Sequence, residues 1–324
     1  MKLIVKWLCS AAALLAVAYL YSGVTVTSFP AALLAAAVLL FACMDTTNKY
    51  LTASFAVPLV VAMRYLVNLA LLLVVLAPRQ GRKLYQTKRT ALVLLRSASL
   101  VCGSFFMGLA LQRMPVAECT AVIFLAPLLL VVVAGPLLGE KPGLLGWAAV
   151  LAGFAGVLLI VRPDSGLDPL GLACLCVTTV CTVVYNLLSR VLARTETTMA
   201  MLFYSALVGA VAFGAYLPWS IGSVMPSLLQ WVLLLSLGVT GGVGHFLFTT
   251  AFRHAPVSLL APVNYLQLVW AGLLGWLVFG HAPEPIALVG IALVAAAGIT
   301  SATMARRRKP RAEEEAADTP QEAS

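Results

Sequence analysis

Charge-free apolar runs recur along the whole chain, among them Leu125–Leu138 and Trp231–Leu237. A soluble domain could not cover them. Of the 324 residues, 62% are hydrophobic and 10% are charged, against about 25% charged in an ordinary globular protein. Lipid must be the solvent for most side chains. Lipid offers the backbone no hydrogen-bond partner, so a chain crosses it only as helices or as a closed barrel. Barrel strands alternate apolar and polar residues, and these runs do not. The pattern predicts an all-α polytopic membrane protein with helices of about 20 residues.

Breakers and charges mark ten transmembrane helices after residue 28, near 30–50, 55–77, 90–112, 115–138, 143–161, 168–190, 198–218, 227–251, 256–279 and 284–304. The chain also repeats itself at an offset of 141 residues. Gly103 and Phe105 fall on Gly244 and Phe246, Pro115 on Pro256, Gly139 on Gly280, Pro142 on Pro283 and Lys49 on Arg190. Each half then holds five helices, and an odd count makes the second half enter from the opposite side. Two inverted five-helix repeats, 29–162 and 163–304, are the plan of many secondary transporters, with a site between the halves. The remaining segments are an extra N-terminal hydrophobic segment, 1–28, and a charged tail, 305–324, expected to be cytoplasmic and disordered.

The formal charge of +9 does not signal nucleic acid. The tail bases Arg306, Arg307, Arg308, Lys309 and Arg311 are balanced by Glu313, Glu314, Glu315, Asp318 and Glu322. The other bases cluster in connectors: Arg79, Arg82, Lys83, Lys88 and Arg89, then Arg190 and Arg194, then Arg253. All fall on one side if the core starts and ends in the cytoplasm, as the positive-inside rule requires. This implies a multi-pass protein of a bacterial-type inner membrane with its C-terminus cytoplasmic. Residues 1–22, with Lys2 and Lys6 ahead of an apolar stretch, either span with the N-terminus outside, lie in the interface, or are removed. The seven cysteines lie in apolar segments without metal-ligand spacing, so each reads as a small hydrophobe.

LFACMDTTNKYL (40–51), VAMRYL (61–66), LQRMPVAECTAVIFLAP (111–127), LLGEKP (137–142) and AFRHAPVSLLAPVNYLQLVWAGLLGWLVFG (251–280) together resemble the drug/metabolite transporter superfamily, and within it the EamA-type carriers. The resemblance covers about 30–304. It implies a ten-helix carrier with two EamA repeats, a membrane-central cavity for a small metabolite, and coupling to a gradient rather than to an ATPase subunit. The second half resembles a subgroup with riboflavin and S-adenosylmethionine uptake carriers and exporters of opine-type metallophores and amino-acid metabolites. Residues 1–39 also resemble the start of a small holin-like membrane protein family.

A charge inside the bilayer costs at least about 2.5 kcal/mol on insertion scales, so each such residue needs a reason. Asp45 and Lys49 share one face of the first helix; they either pair or offer Asp45 to a substrate amine or a proton. Arg64 lies well inside the second span. It either meets a fixed partner such as Asp45 or Glu118, or holds a substrate carboxylate in its bidentate fork. Arg96 is expected to snorkel to the nearer membrane surface. Glu118, in the first turn of the fourth helix, either complements the helix dipole or carries coupled protons. Pro127 and Pro262 each break a helix and free the carbonyl four residues earlier. Asn264, Tyr265, Gln267 and Trp270 near Pro262 suit a planar or amphiphilic ligand, or else bond between helices. Tyr185 and Asn186 are the repeat partners of Met44 and Asp45. His245 is either a proton carrier or a strut. The glycines 238, 241, 242 and 244 read as close helix packing, and Glu140 as a cap or gate.

No catalytic residue, cofactor or metal site is expected, since HExxH, GxSxG and paired catalytic aspartates are missing from the sequence. The expected partners are a small-molecule substrate and the bilayer, with protons as candidate coupling ions. The leading function is export of a small polar or amphiphilic metabolite by alternating access. Uptake of a vitamin or nucleoside-like cofactor is the alternative, and a non-transporting scaffold or channel is the alternative of another class.

Overall fold

A computed structural model describes residues 29–129, 132–133, 144–161, 166–192, 195–217, 226–254 and 263–300. Among these there is no strand. Ten apolar helices follow in order: α1 (Phe29–Thr52), α2 (Val57–Leu71), α3 (Thr90–Arg113), α4 (Val116–Ile123), α5 (Leu144–Ile160), α6 (Pro169–Leu192), α7 (Thr198–Gly214), α8 (Leu228–His254), α9 (Leu266–Phe279) and α10 (Pro285–Thr300). Five helical runs are long and apolar enough to cross a membrane by themselves, among them α1, α3 and α8; α4, α5, α7, α9 and α10 are shorter. The N-terminal segment 1–28, the tail, Glu140 and Pro262 lie outside the described residues.

The helix ends have local causes. Pro58 opens α2 and Pro115 precedes α4, where a missing N–H is harmless. Asp168 Oδ1 accepts the Gly171 N–H at 2.7 Å and so caps α6, and Thr197 caps α7 by accepting from Ala200. Ser227 and Gln230 bond each other's backbone N–H groups at the start of α8, a reciprocal capping box. Gly280, at φ 69°, ends α9 in the left-handed region. The α4 helix breaks at Phe124–Leu125, just ahead of Pro127, and is helical again over 126–129.

The packing has a two-fold pattern. The most extensive contacts are α3 with α6 and α1 with α8. Exchanging α1 with α6 and α3 with α8 turns one pair into the other. Further contacts run between α2 and α7 and between α4 and α9, each helix meeting its own repeat partner. The halves therefore interlock rather than sit side by side. At the outside, Leu144, Leu151 and Leu158 of α5 and Ile286, Leu288 and Val289 of α10 are exposed, the apolar surface that lipid covers. A Cβ on Gly156 or Gly290 would meet the other's carbonyl oxygen at 2.7 or 2.5 Å, so these glycines let α5 and α10 touch.

The two ends of the bundle differ. At one, α1, α3 and α9 finish and α4 begins. At the other, the connector after α2 is tied to the second half. There the buried Glu196 carboxylate accepts the backbone N–H groups of Lys88 and Arg89 at 3.0–3.1 Å, and the Tyr204 hydroxyl donates to the Tyr85 carbonyl at 3.0 Å.

Candidate substrate-binding site

Most buried hydroxyls are spent locally: Thr46 on the Ala42 carbonyl, Ser97 on Val93, Thr120 on Val116. Such i−4 bonds satisfy a polar group without asking anything of a neighbouring helix. The buried charges have no such option and show where the interior is polar.

Asp45 on α1 and Arg64 on α2 are 6% and 8% exposed. They interact electrostatically, and the Gln267 side chain of α9 lies beside Asp45. Yet no direct ion pair within 4.0 Å joins them among the described residues. Among the described residues the one side-chain hydrogen bond of Arg64 is from Nη2 to His245 Nε2 of α8, long at 3.5 Å, and its guanidinium lies 5.2 Å from the centre of the Tyr65 ring. Tyr185 of α6 closes the group, its ring centroid 6.4 Å from that of His245. The α8 glycines make this possible. A Cβ on Gly241 would stand 3.1 Å from Arg64 Nε, one on Gly242 2.7 Å from Asn68 Oδ1, and one on Gly244 2.8 Å from Phe41. Gly241 and Gly242 form the bare face over which α2 lays its arginine, and Gly244 lets α1 come close.

Arg96 does not snorkel. It is 2% exposed, because its face of α3 turns toward α6 and α7. Nε donates to Ser189 Oγ at 2.7 Å, Nη1 to the Met201 carbonyl and Ser205 Oγ at 3.2 Å, and Nη2 to the Tyr185 hydroxyl at 2.9 Å. Its guanidinium also lies 4.4 Å from the centre of the Tyr185 ring.

Lys49 turns away from Asp45. Its Nζ donates to the carbonyls of Leu111 and Met114 at 2.8 and 2.7 Å. Glu118, in the first turn of α4, has Oε1 3.9 Å from His281 Nε2, while its Oε2 is buried without a partner. The structure thus brings Asp45, Arg64, Tyr185, His245 and Gln267 together and puts Lys49 and Glu118 nearer the bundle end. Asn186 and Asn264 are half-buried. Tyr265 packs on Phe124, with centroids 4.9 Å apart, and its buried hydroxyl has no partner. A Cβ at Gly298 would collide with that hydroxyl. Trp270 packs against α1 beside Val38 and Cys43. His281 went unrecognised in the sequence as a neighbour of Glu118, and Arg96 as a buried tie between helices. Ser189 and Ser205, one and two helices after α5, were the available sign of a polar slot for Arg96.

The model of the EamA-like transporter family matches this chain twice, over residues 28–162 and 169–302. The chain belongs to that family. It is 29% identical over 222 residues to a riboflavin transporter of Rhizobium johnstonii, covering 66% of this chain and 70% of that one. It is 26% identical to an S-adenosylmethionine uptake transporter of Rickettsia bellii, covering 66% and 73%. It is also 26% identical over 238 residues to a pseudopaline exporter of Pseudomonas aeruginosa, covering 70% and 80%. One solved crystal structure aligns with a TM-score of 0.60 over 84% of this chain and 98% of its own, at 22% identity, a likeness of fold. The protein is a multi-pass membrane transporter of this EamA-like family, and the names of its relatives speak for carriers rather than enzymes.

Proposed function

We propose that this carrier exports a small zwitterionic metabolite of the amino-acid type across the inner membrane by alternating access. One observation carries the reading. A carboxylate, Asp45, and a guanidinium, Arg64, are both buried where the halves meet and are close enough to interact without touching. A substrate carboxylate fits the Arg64 fork by two parallel N–H···O bonds, replacing the long contact to His245. Its ammonium fits Asp45, with the Gln267 amide beside it. With Asp45 ionised the empty site is neutral overall and so is the filled one, so the carrier can return empty or loaded without moving net charge through lipid. Metabolites with an α-amino and an α-carboxyl group, as in S-adenosylmethionine, suit this pair.

The halves supply the motion. Helices α1 and α8, and their partners α6 and α3, rock as two seams about the site. With the basic connectors inside, as the positive-inside rule favours, the Glu196 end and the C-terminus face the cytoplasm and the Lys49 end faces outward. Glu118, whose Oε2 is buried without a partner, is the candidate to carry coupled protons. Uptake is the second reading, favoured by the uptake carriers among the relatives.

Untargeted mass spectrometry of cells and medium, with and without the gene, tests both. A zwitterion that builds up inside and vanishes outside on deletion supports export. One left unused in the medium establishes uptake. A compound lacking either charge overturns the zwitterion reading.

A further inference from the structure

A cavity of about 190 Å³ lies at the end of the bundle where α1, α3 and α9 finish and α4 begins. Lys49, Arg113, Glu118, Phe279 and His281 are among its walls. Arg113 is engaged with Asp168, at 3.7 Å. Lys49 spends two of its three N–H groups on the carbonyls of Leu111 and Met114, and its ammonium sits 5.6 Å from the centre of the Phe279 ring. One N–H is left over. The ammonium is therefore fixed in position before any ligand arrives. Glu118 is 5% exposed, and one of its oxygens has no partner. A buried carboxylate oxygen left unpaired is unfavourable, and the other Glu118 oxygen is only loosely engaged, 3.9 Å from His281 Nε2, so the carboxylate keeps acceptor capacity at the cavity wall. Lys49 and Glu118 also act on each other electrostatically.

We infer that this cavity is a second zwitterion subsite, taking the substrate's ammonium on Glu118 and its carboxylate on the remaining N–H of Lys49. The assignment rests on the zwitterion reading of the central site. Lys49 and Asp45 are four residues apart on α1, about 6 Å along its axis. A substrate leaving the central pair thus meets a like pair of charges one helical turn nearer the bundle end. Each step exchanges one set of charge-assisted bonds for another, with no stage at which both charges are bare.

The test uses the full-length chain in lipid nanodiscs with a reporter thiol at the cavity wall, Phe279→Cys. Its rate of modification is read by mass spectrometry of the peptide carrying residue 279. Three matched probes are added: L-alanine, propionate and ethylamine. L-Alanine at twice its dissociation constant is expected to slow modification about threefold, by simple occupancy, while the other two have little effect at the same concentration. Glu118→Gln in the reporter chain is expected to abolish that protection, and Arg64→Ala to leave it intact. Equal protection by propionate or by ethylamine would overturn the zwitterion assignment, and no protection by L-alanine would overturn the subsite. If Glu118→Gln does not reach the membrane, the three-probe comparison on the reporter chain still decides. Protection surviving alongside normal transport by Arg64→Ala would sink the central reading alone.

Discussion

Among the described residues two arginines are buried in this bundle, and they are not doing the same job. Arg64 lies seven residues into α2 from the Lys49 end, and Arg96 six residues into α3 from the Glu196 end, so each is about 10 Å deep from opposite sides. The repeat relates their surroundings. Arg96 is bonded to Tyr185, Ser189 and Ser205, which stand at the repeat positions of Met44, Asn48 and Arg64. The position equivalent to Arg96 itself is Leu237. Each seam thus holds one guanidinium, contributed by α2 in one and by α3 in the other. In the α3 seam every nitrogen of the guanidinium is engaged. In the α2 seam the guanidinium has one long hydrogen bond and the Tyr65 ring at 5.2 Å, and Asn48 Oδ1, at the repeat position of Ser189, is buried without a partner. The pair teaches that a buried charge alone does not mark a binding site; a buried charge with spare valence does.

The largest effect expected follows directly. Arg64→Ala removes two charge-assisted bonds to substrate, about 3 kcal/mol, so transport in proteoliposomes should fall about a hundredfold at unchanged membrane abundance. Arg64→Lys keeps the charge but not the fork and should recover only about a tenth of the wild-type rate. Next is Arg96→Leu, which borrows the residue of the other seam. It leaves the Tyr185 hydroxyl unpaired and loosens α3 from α6 and α7. A loss of about 2 kcal/mol in stability is expected, read as a lower melting temperature in detergent, with the rate per folded molecule within about threefold of wild type. Equal loss of rate in both arginine variants would erase the distinction.

Smaller effects sharpen it. Gly241→Ala places a methyl 3.1 Å from Arg64 Nε and 3.3 Å from Met44 Sδ. Overpacking of about 1 kcal/mol should weaken substrate affinity about fivefold and spare the maximal rate. Glu196→Gln replaces a carboxylate by an amide at the opposite end, where ionised acceptors bond about twice as strongly as neutral ones. Thiols placed in the 85–89 connector should become about twofold more reactive, with little change in transport.

The architecture was readable because its signals are local: uncharged runs, Pro and Gly at helix ends, and an offset that needs no partner chain. Arg64 and Asp45 were readable because a charge inside an apolar span is conspicuous. Arg96 was misread because it sits near a helix end, and only the docking of α6 and α7 decides that its face is interior. His281 escaped notice because charges in connectors are ordinary. Tyr265 and Trp270 drew attention as polar aromatics beside Pro262, but the neighbours they pack on, Phe124 and α1, come from other helices that no local pattern names.

The most direct test of the account is transport of the metabolite named by deletion, measured in proteoliposomes for Arg64→Ala and Arg96→Leu and normalised to folded protein. The account predicts that the first is nearly silent and the second close to wild type. Normal transport by Arg64→Ala would contradict it.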